Sequence, residues 1–223
     1  MDAQTHQDTQ SRNIEIRVDE VTLHGILTIP DQAQALVLFA HGAGSSRFSP
    51  RNQYVAGILQ DAGLGTLLMD LMTEREERSD AVTRALAFDI PFLAERVEAA
   101  TNWVLSDEAM RTLRIGYFGA STGAGAALMA AAHKPDAVGA VVSRGGRPDL
   151  AAEILPEVRA PTLLLVGGLD TPVIEMNREA AALLQTENKL VIIPGATHLF
   201  EEPGKLDEVA DYASAWFRQY LTA

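Results

Sequence analysis

The chain has 223 residues, 47% of them hydrophobic, which is ample for one domain with a sizeable core and argues against a second. Its formal charge of −12 argues against a surface for nucleic acid or anionic membrane, and no apolar run approaches the ~20 residues needed to span a bilayer. The absence of cysteine excludes disulfides, thiolate catalysis and Cys-ligated metal, and fits a reducing cytoplasm, the expected location.

The first dozen residues are polar, lack the pattern of a secretory signal, and read as a flexible tail containing His6; a single domain is expected over 13–223. Residues 14–18 and 22–29 read as a hairpin of two strands, with His24 in the second. An apolar strand at 35–40 runs into His41-Gly42-Ala43-Gly44-Ser45-Ser46, a glycine-bearing loop. A helix near 51–62 and a strand at 65–70 follow. The stretch from Met72 to Phe88, with its charge cluster Glu74 to Arg78, reads as a solvated loop and as the best candidate for a cover over a site. A helix at 91–106 leads to a strand at 113–118 and then to an Ala-rich helix at 122–133, capped by His133. Beyond it come a strand at 137–142, a short helix at 149–155, a strand at 162–166, a helix at 175–186, a strand at 189–193 and a final helix at 205–220. Strand and helix in alternation mean a mostly parallel sheet covered on both faces, a three-layer α/β fold.

Three strand ends carry chemistry. Gly119-Ala120-Ser121-Thr122-Gly123 follows a strand and opens a helix, the pattern of a nucleophile elbow: the turn holds Ser121 in a strained backbone, and glycines at 119 and 123 avoid collision with strand and helix. The Thr122 amide then begins a helix, where N–H groups lack intrahelical partners and can face an anion. Serine needs a base to take its proton and an acid to orient that base. Asp170 follows the strand at 162–166, and His198 follows the strand at 189–193, in the order serine, acid, histidine and on the sheet edge where Ser121 emerges. Asp149, past the preceding strand, is the rival acid. The loop after His41 commonly gives a second oxyanion donor, assigned by position to the Ala43 backbone N–H. Arg144 and Arg147 follow a strand at the same edge, and an arginine fork can hold a substrate carboxylate; pairing of Arg144 with Asp170 or Asp149 is the alternative. His41 is a further candidate for substrate contact.

On the His41-Gly42 loop, the Ser121 elbow, Gly168-Leu169-Asp170 and Gly195-Ala196-Thr197-His198, the chain resembles the α/β-hydrolase superfamily from about residue 13 to 221. Within it the chain is similar to the small, cap-free branch related to dienelactone hydrolases. The resemblance implies a carboxylic ester hydrolase acting on a small acyl substrate. Dienelactone hydrolases proper carry cysteine at the elbow; this chain has Ser121, which suits a general esterase mechanism. Caps in this superfamily are usually inserted between the strands here placed at 137–142 and 162–166, an interval too short for a large lid, so an open or shallow pocket is expected.

No cofactor or metal is expected: there is no H-E-x-x-H spacing, Gly123-Ala124-Gly125 lacks the third glycine of a dinucleotide fingerprint, and the elbow lacks the lysine of a P-loop. Acyl transfer by the same machinery and a non-catalytic binding module on the same fold remain alternatives. Oligomeric state is not legible.

Overall fold

The computed structural model describes residues 11–222, so most of the expected tail lies outside the described residues. What is described of it, Ser11 and Arg12, belongs to the first strand rather than to a tail. Eight strands form one sheet: β1 (Ser11–Val18), β2 (Val21–Thr28), β3 (Ala35–Ala40), β4 (Gly65–Met69), β5 (Arg114–Ala120), β6 (Val138–Arg144), β7 (Thr162–Gly167) and β8 (Asn188–Ile193). Their order is β1-β2-β4-β3-β5-β6-β7-β8. The β1–β2 hairpin joins antiparallel to β4, and every other pairing is parallel. β3 and β7 are buried along their whole length, and β5 from its second residue on, as strands covered on both faces must be.

The helices are α1 (Pro50–Asp61), α2 (Glu74–Asp80), α3 (Ile90–Ser106), α4 (Thr122–His133), α5 (Thr171–Leu183) and α6 (Lys205–Leu221). One face of the sheet packs Tyr117, Val141 and Leu164 against α3, α4 and α5. The other packs Phe39, Phe118, Val142 and Leu165 against α1 and α6, with Phe39 and Phe118 ring centroids 4.8 Å apart. The alternation 141/142 and 164/165 is the period-two pattern of a strand with two dry faces.

Three local differences have physical causes. The cluster expected as loop at 74–78 forms α2, because Thr73 accepts from the Glu76 N–H while the Glu76 carboxylate accepts from the Thr73 N–H, a reciprocal capping box. Helix α5 begins at Thr171 rather than 175, with Pro172 in its first turn, where proline's missing N–H costs nothing. The segment expected as a short helix at 149–155 is a run of 3-10 turns, Pro148–Glu157, kinked at Ala151.

Chain order reverses between β3 and β5: one continues to β4 on its left, the other to β6 on its right. The loops leaving these adjacent strands therefore diverge, and the crevice between them opens at the carboxyl edge of the sheet.

Candidate active site

Ser121 sits at φ 51° and ψ −123°, a conformation that L-residues adopt only when the surroundings impose it. The imposition is visible in its neighbours. A Cβ on Gly119 would lie 2.4 Å from Ala124 Cα, and a Cβ on Gly123 would lie 2.2 Å from the Ala40 carbonyl oxygen, so the turn can pass between strand and helix only with glycine at both places. The Ser121 N–H donates to the Arg144 carbonyl at 3.2 Å, and the Ser121 carbonyl accepts from Ala124 and Arg147, each at 3.0 Å. The turn is thus pinned on both sides of Ser121.

Asp170 and His198 come together: His198 Nδ1 and Asp170 Oδ2 are 2.6 Å apart. Their loops are stitched by main-chain bonds, Gly168 N–H to Ile193 O at 2.8 Å and Leu169 N–H to Ala196 O at 2.9 Å. The histidine side chain is 40% exposed and the aspartate 15%, so the acid is the better shielded of the two. The rival acid, Asp149, is engaged elsewhere: Arg147 Nε and Nη2 donate to its two carboxylate oxygens, each at 2.8 Å. That bidentate pair also removes Arg147 as a free fork for substrate.

His41 is corrected more fully. It is buried, its Nδ1 bonds the Gly42 carbonyl at 2.9 Å, and its Nε2 accepts the Leu71 N–H at 3.1 Å. Both nitrogens are used, so the ring is the neutral Nδ1–H tautomer and braces the loop to the chain following β4; the residue lines the neighbouring cavity, but neither ring nitrogen is free to bond a substrate. Burial is the main cause holding its pKa below the ordinary histidine value, against the raising effects of Gly42 and Asp70.

The Ala43 N–H, assigned to the oxyanion hole from sequence, donates to Thr122 Oγ1 at 2.9 Å. An oxyanion placed between the Ala43 and Thr122 amides would compete with this hydroxyl for the Ala43 hydrogen. The bond also fixes the spacing between the loop and the start of α4. No sequence signal identifies it, since it joins residues 79 apart.

Beside this loop lies a cavity of about 630 Å³, open to solvent in part, walled by His41 to Ser46, Arg51 and Thr122. The expected cover does lie over it, through Met72, Glu77, Ala81, Arg84 and Ala87. Asp80 ties that cover together, accepting the Leu86 N–H at 3.0 Å and the Ala87 N–H at 2.9 Å. Glu77 has its pKa raised, first by burial and then by Asp70. Arg144, the last residue of β6, is buried, and Asn52 Oδ1 at 3.5 Å is the one hydrogen-bond partner of its side chain among the described residues. It pairs with neither Asp170 nor Asp149. Among the described residues no cluster of three or more metal-ligating side chains occurs, and no helix is long and apolar enough to cross a membrane.

Comparison with known proteins agrees with this architecture. The model of the dienelactone hydrolase family matches residues 24–221. A crystal structure of dienelactone hydrolase from Anabaena variabilis is 59% identical and superposes with a TM-score of 0.94, covering 97% of this chain and 100% of that one. Est1E from Butyrivibrio proteoclasticus shares the fold at 16% identity, with a TM-score of 0.80 over 95% of this chain and 99% of its own. A protein of Mycobacterium tuberculosis provisionally named a phosphoribosyl transferase is 49% identical over 221 residues, 99% of this chain but 49% of its own length. The chain thus spans about half the length of the curated relatives it matches.

Proposed function

The chain belongs to the dienelactone hydrolase family, and from that membership we propose that it is a serine hydrolase of a carboxylic ester, thioester or lactone, using Ser121, His198 and Asp170. The observation that carries the reading is the 2.6 Å contact between His198 Nδ1 and Asp170 Oδ2 on the sheet edge where Ser121 stands strained at its elbow.

In this scheme Asp170 accepts the Nδ1–H and leaves Nε2 basic. Ser121 Oγ attacks the acyl carbonyl while its proton passes to His198 Nε2. The tetrahedral oxyanion is held by the Thr122 N–H and by the Ala43 N–H once the latter turns from the Thr122 hydroxyl. Collapse breaks the bond to the leaving alcohol, thiol or lactone oxygen, which takes the proton from His198. Water, deprotonated by the same histidine, then releases the acid and restores Ser121. Everything the cycle requires is on the chain, so no cofactor enters it. Acyl transfer to an acceptor other than water would use the same first half. The phosphoribosyl transferase name belongs to a protein about twice as long, whereas a serine, a base and an acid are the parts of acyl chemistry.

A fluorophosphonate probe and short-chain p-nitrophenyl esters test the proposal on wild type beside Ser121→Ala. Labelling and turnover that disappear together in the variant are expected. A folded wild type that takes up no probe would remove the hydrolase reading in favour of a binding module.

A further inference from the structure

Arg144 is 7% exposed, yet among the described residues Asn52 Oδ1 at 3.5 Å is the one hydrogen-bond partner of its side chain, and its Nε is buried without any. No carboxylate lies within ion-pair distance of it among the described residues, in contrast to Arg147 three positions on, which grips Asp149 with two bonds. A buried cation without a counter-charge is costly to fold around. A second guanidinium stands close by. Arg51 holds Glu201 through Nη1 at 2.8 Å, but its own Nε is also buried and unpartnered. Burial, and then the charge of Arg51, bring the Arg144 pKa down to about 10, which leaves it a cation at neutral pH. Asn52 lies in the first turn of α1, a 12-residue helix whose amino end adds positive potential.

We infer that Arg144, Arg51 and Asn52 form a site for a small oxyanion, a carboxylate or phosphate group, beneath the catalytic edge. Two neighbouring guanidiniums, each with a buried and unpartnered Nε, suit the paired oxygens of such a group. The site adjoins the chemistry without being part of it. The Arg144 carbonyl holds the Ser121 N–H, a Cβ on the adjoining Gly145 would lie 3.1 Å from the His198 carbonyl oxygen, and Arg51 reaches the wall of the cavity. The oxyanion can arrive free from solution or attached to a substrate; in the second case the inference rests on the hydrolase reading, in the first it does not.

Thermal denaturation of the wild type in acetate or phosphate, against chloride at equal ionic strength, reads the free anion without any turnover. A saturable rise in Tm of roughly 3–6 °C at ten times the half-saturating concentration, absent in Arg144→Met, is expected for a free anion. The substrate-borne case is read by comparing p-nitrophenyl butyrate with the mono-p-nitrophenyl ester of glutaric acid. There Arg144→Met would raise KM at least tenfold more for the acidic ester than for the neutral one, and free acetate would compete with the acidic ester alone. If Arg144→Met does not fold, Arg51→Met is read in both arms. Equal anion responses in wild type and variant, together with unchanged preference between the two esters, would overturn the site. Fluorophosphonate labelling in the same samples reports separately whether Ser121 is an activated nucleophile.

Discussion

Substituting alanine for Gly123 asks how tightly the elbow is built. The added Cβ would stand 2.2 Å from the Ala40 carbonyl oxygen, 2.5 Å from that of His41 and 2.6 Å from Ala40 C, all of them backbone atoms at the end of β3 and the start of its loop. Ordinary contact needs ~3.4 Å, so α4 and the loop must separate by about 1 Å, and no flexible side chain can absorb the shift. Overpacking of this kind costs roughly 1–3 kcal/mol, or about 2–12 °C in Tm for a chain of this size. The same displacement moves the Thr122 amide relative to Ala43, and a 1 Å error in catalytic geometry can cost about 100-fold in rate. Alanine at Gly57, inside α1 with nothing within 4 Å of its Cβ, is the matched control and should gain roughly 0.5–1 kcal/mol with unchanged kinetics. Calorimetry and kcat/KM on a p-nitrophenyl ester read both variants. Wild-type activity and Tm in Gly123→Ala would refute the claim that glycine is required there by contact.

Two other residues give sharp expectations. Asp170→Asn removes the charge that fixes the His198 tautomer while keeping the shape, so kcat should fall by about 10³–10⁴ with KM little changed; a loss below tenfold would point to another acid. His41 is held neutral in the fold, with its pKa below the ordinary 6.5, so the native state binds fewer protons than the unfolded chain. The stability this contributes is complete above about pH 6.5 and declines as the pH falls from there toward the lowered native value. His41→Gln should therefore flatten the fall in Tm below pH 6.5, and a variant that tracks wild type through that window would exclude this residue as the cause.

The sheet was legible because its signals are local and redundant. Apolar runs such as 35–40 and 162–166 can only be strands buried on both faces, and each ends in glycine or a polar turn. The elbow was legible for a steric reason, since the glycines at 119 and 123 record contacts with Ala124 and Ala40. The fate of the arginines was not. Arg144 and Arg147 look alike in sequence, yet one ends β6 with its side chain beneath α1 and the other lies in a turn beside Asp149; three-dimensional neighbours separate them, not residue type. His41 was misread because its second partner, the Leu71 N–H, lies 30 residues away. Helix α2 was missed although Thr73-Glu74-Arg75-Glu76 spells a capping box, a signal that charge density at 74–78 obscured.

His198 hangs from β8, the last strand of the sheet, paired on one side only and half open to solvent along most of its length. Ser121 stands instead at the end of β5, flanked on both sides by other strands and buried from Ile115 up to the turn. Sheets fray from their margins inward, so the proton acceptor of the proposed scheme belongs to the part of the molecule that opens first and its nucleophile to the part that opens last. Under that scheme, warming would remove turnover before compactness, and an inactivated molecule that keeps its central strands would have only to re-zip one margin to recover.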